Sequence, residues 1–166
     1  MALLKPATPI VDFQELTIMY STMGLGASTR ESDLINGLSP PCQTLLAALV
    51  TGEVGLKRLT TIPEMANAYN TYRVLIGIQQ HEHRDTIRTW VDQLSSYNLL
   101  YQQDNSVHGR KRVDPDSVSY RLSNSNLAIS ILKVITPSSP HRIHLVKYMA
   151  RINEERVKHG LQPIDL

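Results

Sequence analysis

The chain has 166 residues, of which 42% are hydrophobic and 19% charged, a composition typical of one folded domain rather than of a disordered chain. Its 17 Lys and Arg residues against 15 Asp and Glu give a net charge of +2, so a nucleic-acid site would have to be a local patch. The single cysteine, Cys42, excludes an internal disulfide, and the longest apolar run, residues 45–50, is far shorter than the about 20 residues of a membrane span.

Residues 1–37 are predicted to form an N-terminal arm and one helix. Asp12 and Glu15 make an acidic capping box, and a stripe of apolar residues at helical spacing follows it: Leu16, Met19, Tyr20 and Met23. Residues 25–30 are small or polar and predict a linker, with one short helical turn within 31–38.

Three helices are predicted between residues 38 and 97. Ser39 and Pro40 begin the first helix, as N-cap and first helical residue. Thr61 and Glu64 make a capping box that begins the second. The third spans about 82–97, and its apolar stripe is Ile87, Trp90, Val91, Leu94 and Tyr97, before Asn98 in a helix-ending position.

A hairpin and two more helices are predicted after the third helix. Short strands at 99–101 and 118–122 flank a segment of turn residues that carries three basic side chains, Arg110, Lys111 and Arg112. Helical spacing returns over 127–135 and over 141–159, and the second of these is amphipathic with an excess of basic residues.

Three helices followed by a hairpin with a basic tip are the order of a winged helix-turn-helix. The predicted fold is therefore mainly α with a small β-hairpin and with additional N- and C-terminal helices. We divide the chain into an N-terminal arm and helix (1–37), a winged-helix domain (38–124) and C-terminal helices (125–166). In this fold the free face of the third helix enters a DNA major groove.

The predicted outward face of the third helix carries side chains that can read base edges. Arginine and glutamine pair bidentately with guanine and adenine, and threonine can serve either base. The candidates are Arg84, Arg88, Thr89 and Gln93. Asp85 and Asp92 lie on the same helix and repel phosphate, so a merely solvated helix face remains the alternative.

The basic run at the predicted hairpin tip, Arg110, Lys111 and Arg112, is placed to contact phosphates or the minor groove. The alternative is a solubilising turn. Residues 81–112 hold five basic and four acidic side chains, so one copy would bind DNA weakly and in a salt-dependent way. The two terminal helices could pair between copies in a homodimer, or could pack back onto their own domain.

Capping and apolar residues between 59 and 100 form a pattern shared with a known family. They are Leu59-Thr60-Thr61, Glu64-Met65 and Tyr69, then Ile87, Trp90-Val91, Leu94 and Tyr97-Asn98-Leu99-Leu100. This pattern resembles the C-terminal winged-helix domain of the origin-recognition and replication-initiator AAA+ proteins of archaea and eukaryotes. The resemblance covers about 38–123; residues 109–112 fall where that family has its wing, and Asn98 stands where it has glycine. The AAA+ module is absent from this sequence, so the resemblance implies DNA binding without an ATP site.

The function we expect is binding of double-stranded DNA at replication origins, in plasmid or viral DNA, or in transcription regulation. The alternative is a winged helix that acts as a protein–protein interaction module within a larger replication or regulatory complex, which the near-neutral charge favours. We expect no membrane partner and an intracellular location, in cytoplasm or nucleoid, or in the nucleus of a eukaryote.

No common enzyme motif occurs in the sequence, which lacks a Walker loop, a nucleophile elbow, HExxH and a dinucleotide-binding glycine motif. His81 and His83 could ligate a metal in principle, but imidazoles two residues apart diverge on a helix, so solvated loop histidines are expected. We therefore expect no enzymatic activity, no catalytic residue, no metal and no cofactor.

Overall fold

The computed structural model describes residues 26–56, 58–103, 114–124 and 126–165. Within them are six α-helices: α1 (Gly26–Asn36), α2 (Pro40–Thr51), α3 (Ile62–Leu75), α4 (Arg84–Ser96), α5 (Leu127–Val134) and α6 (Pro140–Lys158). Three strands accompany them: β1 (Thr60–Thr61), β2 (Leu100–Gln103) and β3 (Ser119–Leu122). The predicted helix near residues 12–23 lies outside the described residues. The chain is mainly helical with a small sheet, as the sequence predicted.

The sheet is antiparallel and has the order β1-β3-β2. Tyr101 of β2 faces Arg121 of β3, which confirms the predicted hairpin, and Thr60 of β1 faces Tyr120 of β3. Strand β1 was not predicted, because two residues are too few to produce a pattern of alternating polarity. It anchors the start of α3 to the hairpin.

Hydrogen bonds to the backbone and one left-handed residue account for the start of α3 and for both ends of α4. The Thr61 amide donates to Glu64 Oε2 at 2.8 Å in the predicted capping box, and this bond lowers the pKa of the Glu64 carboxyl. Helix α4 starts at Arg84 rather than near 82 because Asn70 holds Glu82 in an extended turn, accepting from its amide at 2.8 Å. Asn98 follows α4 with a φ of 59°, in the left-handed region expected there.

Residues 26–36 form a helix, so the predicted linker over 25–30 is wrong. The segment is helical because α1 packs against α5 and not because of its intrinsic propensity. The Glu31 carboxylate accepts from Asn124 Nδ2 at 2.6 Å and from Ser130 Oγ at 3.2 Å, and these bonds tie α1 to the residues before and within α5.

Helix α2 lies at the centre of the core and is buried along most of its length. It packs against α3, α4, α5 and α6, which is why Cys42 and every residue from 45 to 50 are buried. The C-terminal helices share this core: Leu127, Ile131, Leu145 and Met149 are buried in the same cluster as the α2 leucines. One face of α6 thus packs back onto its own domain.

Candidate nucleic-acid interface

Helix α4 packs on its neighbours through one narrow apolar stripe. Ile87, Val91 and Leu94 are fully buried against α2 and α3, and β2 adjoins the helix. Trp90 lies at the edge of the stripe, half-buried, with its ring 5.3 Å from the Tyr69 ring. Trp90 therefore serves core packing, as predicted. Tyr97 at the end of the helix is 43% exposed and does not extend the stripe into the core.

The opposite side of α4 is polar and open to solvent. Asp85, Thr89, Asp92 and Ser96 are exposed along it. The helices α5 and α6 pack against α2 and each other, while α1 packs against α5. The polar side of α4 is thus not sealed beneath the C-terminal helices, which leaves a helix face that a duplex can approach.

Asp116 brings Arg84 and Arg88 together on one flank of α4. Arg84 Nη1 donates to Asp116 Oδ2 at 3.0 Å, and Arg88 Nη2 donates to Asp116 Oδ1 at 2.8 Å. Arg88 also reaches Asp85 Oδ1 at 3.3 Å. Both guanidinium groups, expected to face base edges, are thus paired with a carboxylate.

The turn that carries Asp116 precedes β3. It is a short 3₁₀ helix, Pro115–Ser117, in which the Asp116 amide donates to Asp114 Oδ1 at 3.0 Å. The sequence identified Asp114-Pro115 only as turn chemistry, because the pairing of a carboxylate with residues about thirty positions earlier leaves no local signal. Asp116 is therefore the member of this surface that sequence reasoning missed.

The two remaining candidates on α4 differ in their surroundings. The Thr89 hydroxyl is exposed and donates to the Asp85 carbonyl at 3.2 Å, so its oxygen can still accept a hydrogen bond. Gln93 is half-buried, and its Oε1 accepts from Cys42 Sγ at 3.2 Å. The predicted outward position of Gln93 is wrong, because it follows Trp90 by one turn and lies at the margin of the buried stripe.

The charge on the described part of this surface is close to balanced. The carboxylates of Asp85, Asp92 and Asp116 lie on or beside α4 together with the guanidinium groups of Arg84 and Arg88. Arg110, Lys111 and Arg112 lie outside the described residues, in the segment that joins β2 to β3. The five described side chains therefore supply no net positive charge with which to attract phosphate.

A second polar cluster joins α3 to α6. Tyr72 Oη and His141 Nδ1 are 2.8 Å apart, their rings are stacked with centroids 5.5 Å apart, and the His144 ring meets Tyr72 edge-on. Burial raises the pKa of Tyr72, while burial and the nearby His144 lower the pKa of His141. A neutral His141 whose Nδ1 accepts a hydrogen bond from the Tyr72 hydroxyl fits both shifts.

Neither a metal-ligand cluster nor a membrane-spanning helix occurs among the described residues. They contain no group of three or more His, Cys, Asp or Glu side chains arranged to hold a metal ion. None of the described helices combines the length and apolar character needed to cross a bilayer.

Comparison of the chain with protein-family models, with curated proteins and with solved structures finds no significant match.

Proposed function

We propose that the chain is a non-enzymatic winged-helix protein that binds duplex DNA, with α4 as the recognition helix and the basic segment 109–112 as the wing. The observation that carries the proposal is the open polar side of α4 next to the β2–β3 hairpin. The order helix, strand, helix, helix, hairpin over α2 to β3 supports it, since this order places a helix and a wing beside one another.

In this proposal Arg84 and Arg88 bind the DNA backbone rather than bases. Asp116 holds both guanidinium groups on the flank of α4, and a phosphate oxygen has the acceptor geometry and charge of the carboxylate that they now pair with. A DNA phosphate would replace Asp116 or share the two side chains with it. Thr89 and Ser96, at the centre of the exposed face, would approach the base edges.

The basic wing supplies most of the attraction for phosphate. The carboxylates around α4 offset its two arginines, so Arg110, Lys111 and Arg112 carry the net positive charge of the interface. If each neutralises one phosphate, they contribute about −3 to the slope of log K against log salt. Binding by one copy is then weak, nonspecific in part, and strongest at low salt.

Fluorescence anisotropy with a labelled random duplex at low salt tests the proposal. We expect the native chain to bind at micromolar concentration and the triple variant R110A/K111A/R112A to bind at least tenfold more weakly with a shallower salt slope. A matched variant, R30A/K133A/K158A, removes three exposed cations from α1, α5 and α6 and should retain most of the affinity. No complex with the native chain, or equal losses in both variants, would overturn DNA binding.

One observation favours a second function, a protein–protein interaction module in a larger assembly. Because carboxylates and guanidinium groups nearly balance on the α4 surface, its electrostatic potential is too weak to attract DNA strongly. For such a module we expect no duplex binding even at low salt, and no effect of the wing substitutions on any duplex titration.

A further inference from the structure

Helix α6 has an apolar face that is not used in the core of its own domain. Leu145, Tyr148 and Met149 are buried on one side. On another side Ile143, Val146 and Val157 are 56%, 42% and 59% exposed. Ala150 is also exposed. Isolated exposed apolar residues are ordinary, but several aligned on one helix face indicate a contact surface.

The exposed apolar residues follow a seven-residue spacing. Ile143, Ala150 and Val157 are seven positions apart, so they form a row about 21 Å long on one side of the helix. Val146 lies beside the first of them. The described C-terminal residues leave the row exposed. The side-chain amide of Asn153 holds Ile164 beside the row: its Nδ2 donates to the Ile164 carbonyl at 3.0 Å, and its Oδ1 accepts from the Ile164 amide at 2.8 Å. We call these four residues, Ile143, Val146, Ala150 and Val157, the α6 seam.

The α6 seam is complementary to itself in the antiparallel orientation. A two-fold axis through Ala150 brings Ile143 against the partner's Val157, since the two lie equally far from Ala150. It also brings Ala150 against the partner's Ala150, where two small side chains let the helices approach closely. Isologous contacts of this kind close into a dimer and leave no unpaired copy of the surface.

Charge is also complementary across the same axis. Lys147 and Glu154 each follow a seam residue by four positions, and both are exposed on the same margin of the seam. The axis places Lys147 beside the partner's Glu154, and by symmetry the reverse pair forms as well. In a parallel pairing the two-fold axis would run along the helices and place these margins on opposite sides of the interface, so neither charge pair would form.

We propose that a second copy of this chain binds the α6 seam, forming an antiparallel homodimer centred on Ala150. The seam is short and offers few apolar side chains, so the dimer belongs to the small, reversible class of interfaces. It is independent of the proposed DNA function, because none of its residues is on α4 or the hairpin.

Sedimentation velocity of the full chain, from about 5 to 500 μM, tests the proposal. We expect a reversible monomer–dimer equilibrium in the native chain. Ala150→Glu places two carboxylates together on the axis and should weaken the dimer at least tenfold. Circular dichroism of each variant checks that helix content is unchanged. A native chain that stays monomeric over this range, or a dimer that Ala150→Glu does not weaken, would overturn the proposed dimer.

Charge exchange tests the antiparallel register. Lys147→Glu and Glu154→Lys alone should each weaken the dimer, by roughly two- to tenfold over two symmetric pairs, and the double variant should restore it. Glu155→Lys makes the same charge change on the far side of the helix and should leave the dimer unaltered. Failure of the double variant to restore dimerisation would exclude this pairing.

Discussion

Asp116 determines how Arg84 and Arg88 are presented on the flank of α4. Its two oxygens hold one guanidinium each, at 3.0 and 2.8 Å, and so compete with any other anion for both side chains. Replacing the carboxylate by an amide keeps the shape and removes the charge, so Arg84 loses this ion pair and Arg88 keeps only its pair with Asp85.

We therefore predict that Asp116→Asn raises the affinity for a random duplex by roughly two- to tenfold at low salt, measured by anisotropy titration. Asp33→Asn, an equal charge change at an exposed position of α1, serves as the control. Equal affinities of the two variants would show that Asp116 does not compete with DNA.

His141 couples the stability of the fold to pH. Its pKa lies below the ordinary 6.5 because it is buried and faces His144. As the pH falls through 6.5, the unfolded chain therefore binds more protons than the folded chain. Because protons then favour the unfolded state, the contribution of His141 to the free energy of unfolding is full above pH 6.5 and is lost as the pH falls below it.

We predict that the free energy of unfolding, from urea titrations at pH 7.5 and 5.5, falls less in His141→Asn than in the native chain. The asparagine oxygen can accept a hydrogen bond from the Tyr72 hydroxyl, and the amide does not titrate. His81→Asn, at an exposed histidine, should leave the fall unaltered. An equal fall in all three proteins would contradict the role of His141.

At the level of the elements, local signals in the sequence account for α2, α3 and α4. Helices α2 and α3 begin at the predicted caps and prolines, α4 has a clear apolar stripe, and Asn98 follows α4 in the left-handed region. Helix α1 has no comparable signal. Its segment, rich in small and polar residues, is helical because α5 provides a partner surface, and tertiary contact of this kind leaves no periodic pattern to read.

Glu31 is the residue through which we expect α1 to depend on α5. Glu31→Ala removes the acceptor of Asn124 and Ser130, and Ser130 is fully buried, so its hydroxyl would lose a partner. We predict a loss of about 1–3 kcal/mol in the free energy of unfolding and faster amide exchange within α1. Asp33→Ala, on the exposed side of α1, should change neither quantity.

For the molecule as a whole, the sequence predicted the order of the elements from α2 to α6, apart from β1, but not how the C-terminal helices are used. Amphipathic spacing shows that a helix has a partner surface and does not say whether that surface belongs to the same chain. The core cluster answers this for one face of α6, since Leu145 and Met149 pack with α2. The candidate site was predictable in its helix but not in its charge balance, because Asp116 approaches α4 only through the tertiary fold.

We predict that the fragment 38–124, taken alone, does not unfold cooperatively. The fragment lacks α5 and α6, so the side of α2 that packs against Leu127, Ile131 and Leu145 would be exposed to solvent. Thermal unfolding followed by circular dichroism, with dye binding to exposed apolar surface, checks this against the full chain. A sharp transition in the fragment near that of the full chain would show that the C-terminal helices are dispensable for folding.

The position of Cys42 has a practical consequence. It is the sole thiol of the chain and lies fully buried near the start of the central helix, with its sulfur directed to Gln93. A disulfide reagent can react with this buried sulfur when the contact between α2 and α4 opens. The rate of modification therefore depends on how often that contact opens. The rate of Cys42 modification therefore measures local opening of the fold without any introduced label. A ligand or second copy that binds only the closed fold would lower this rate.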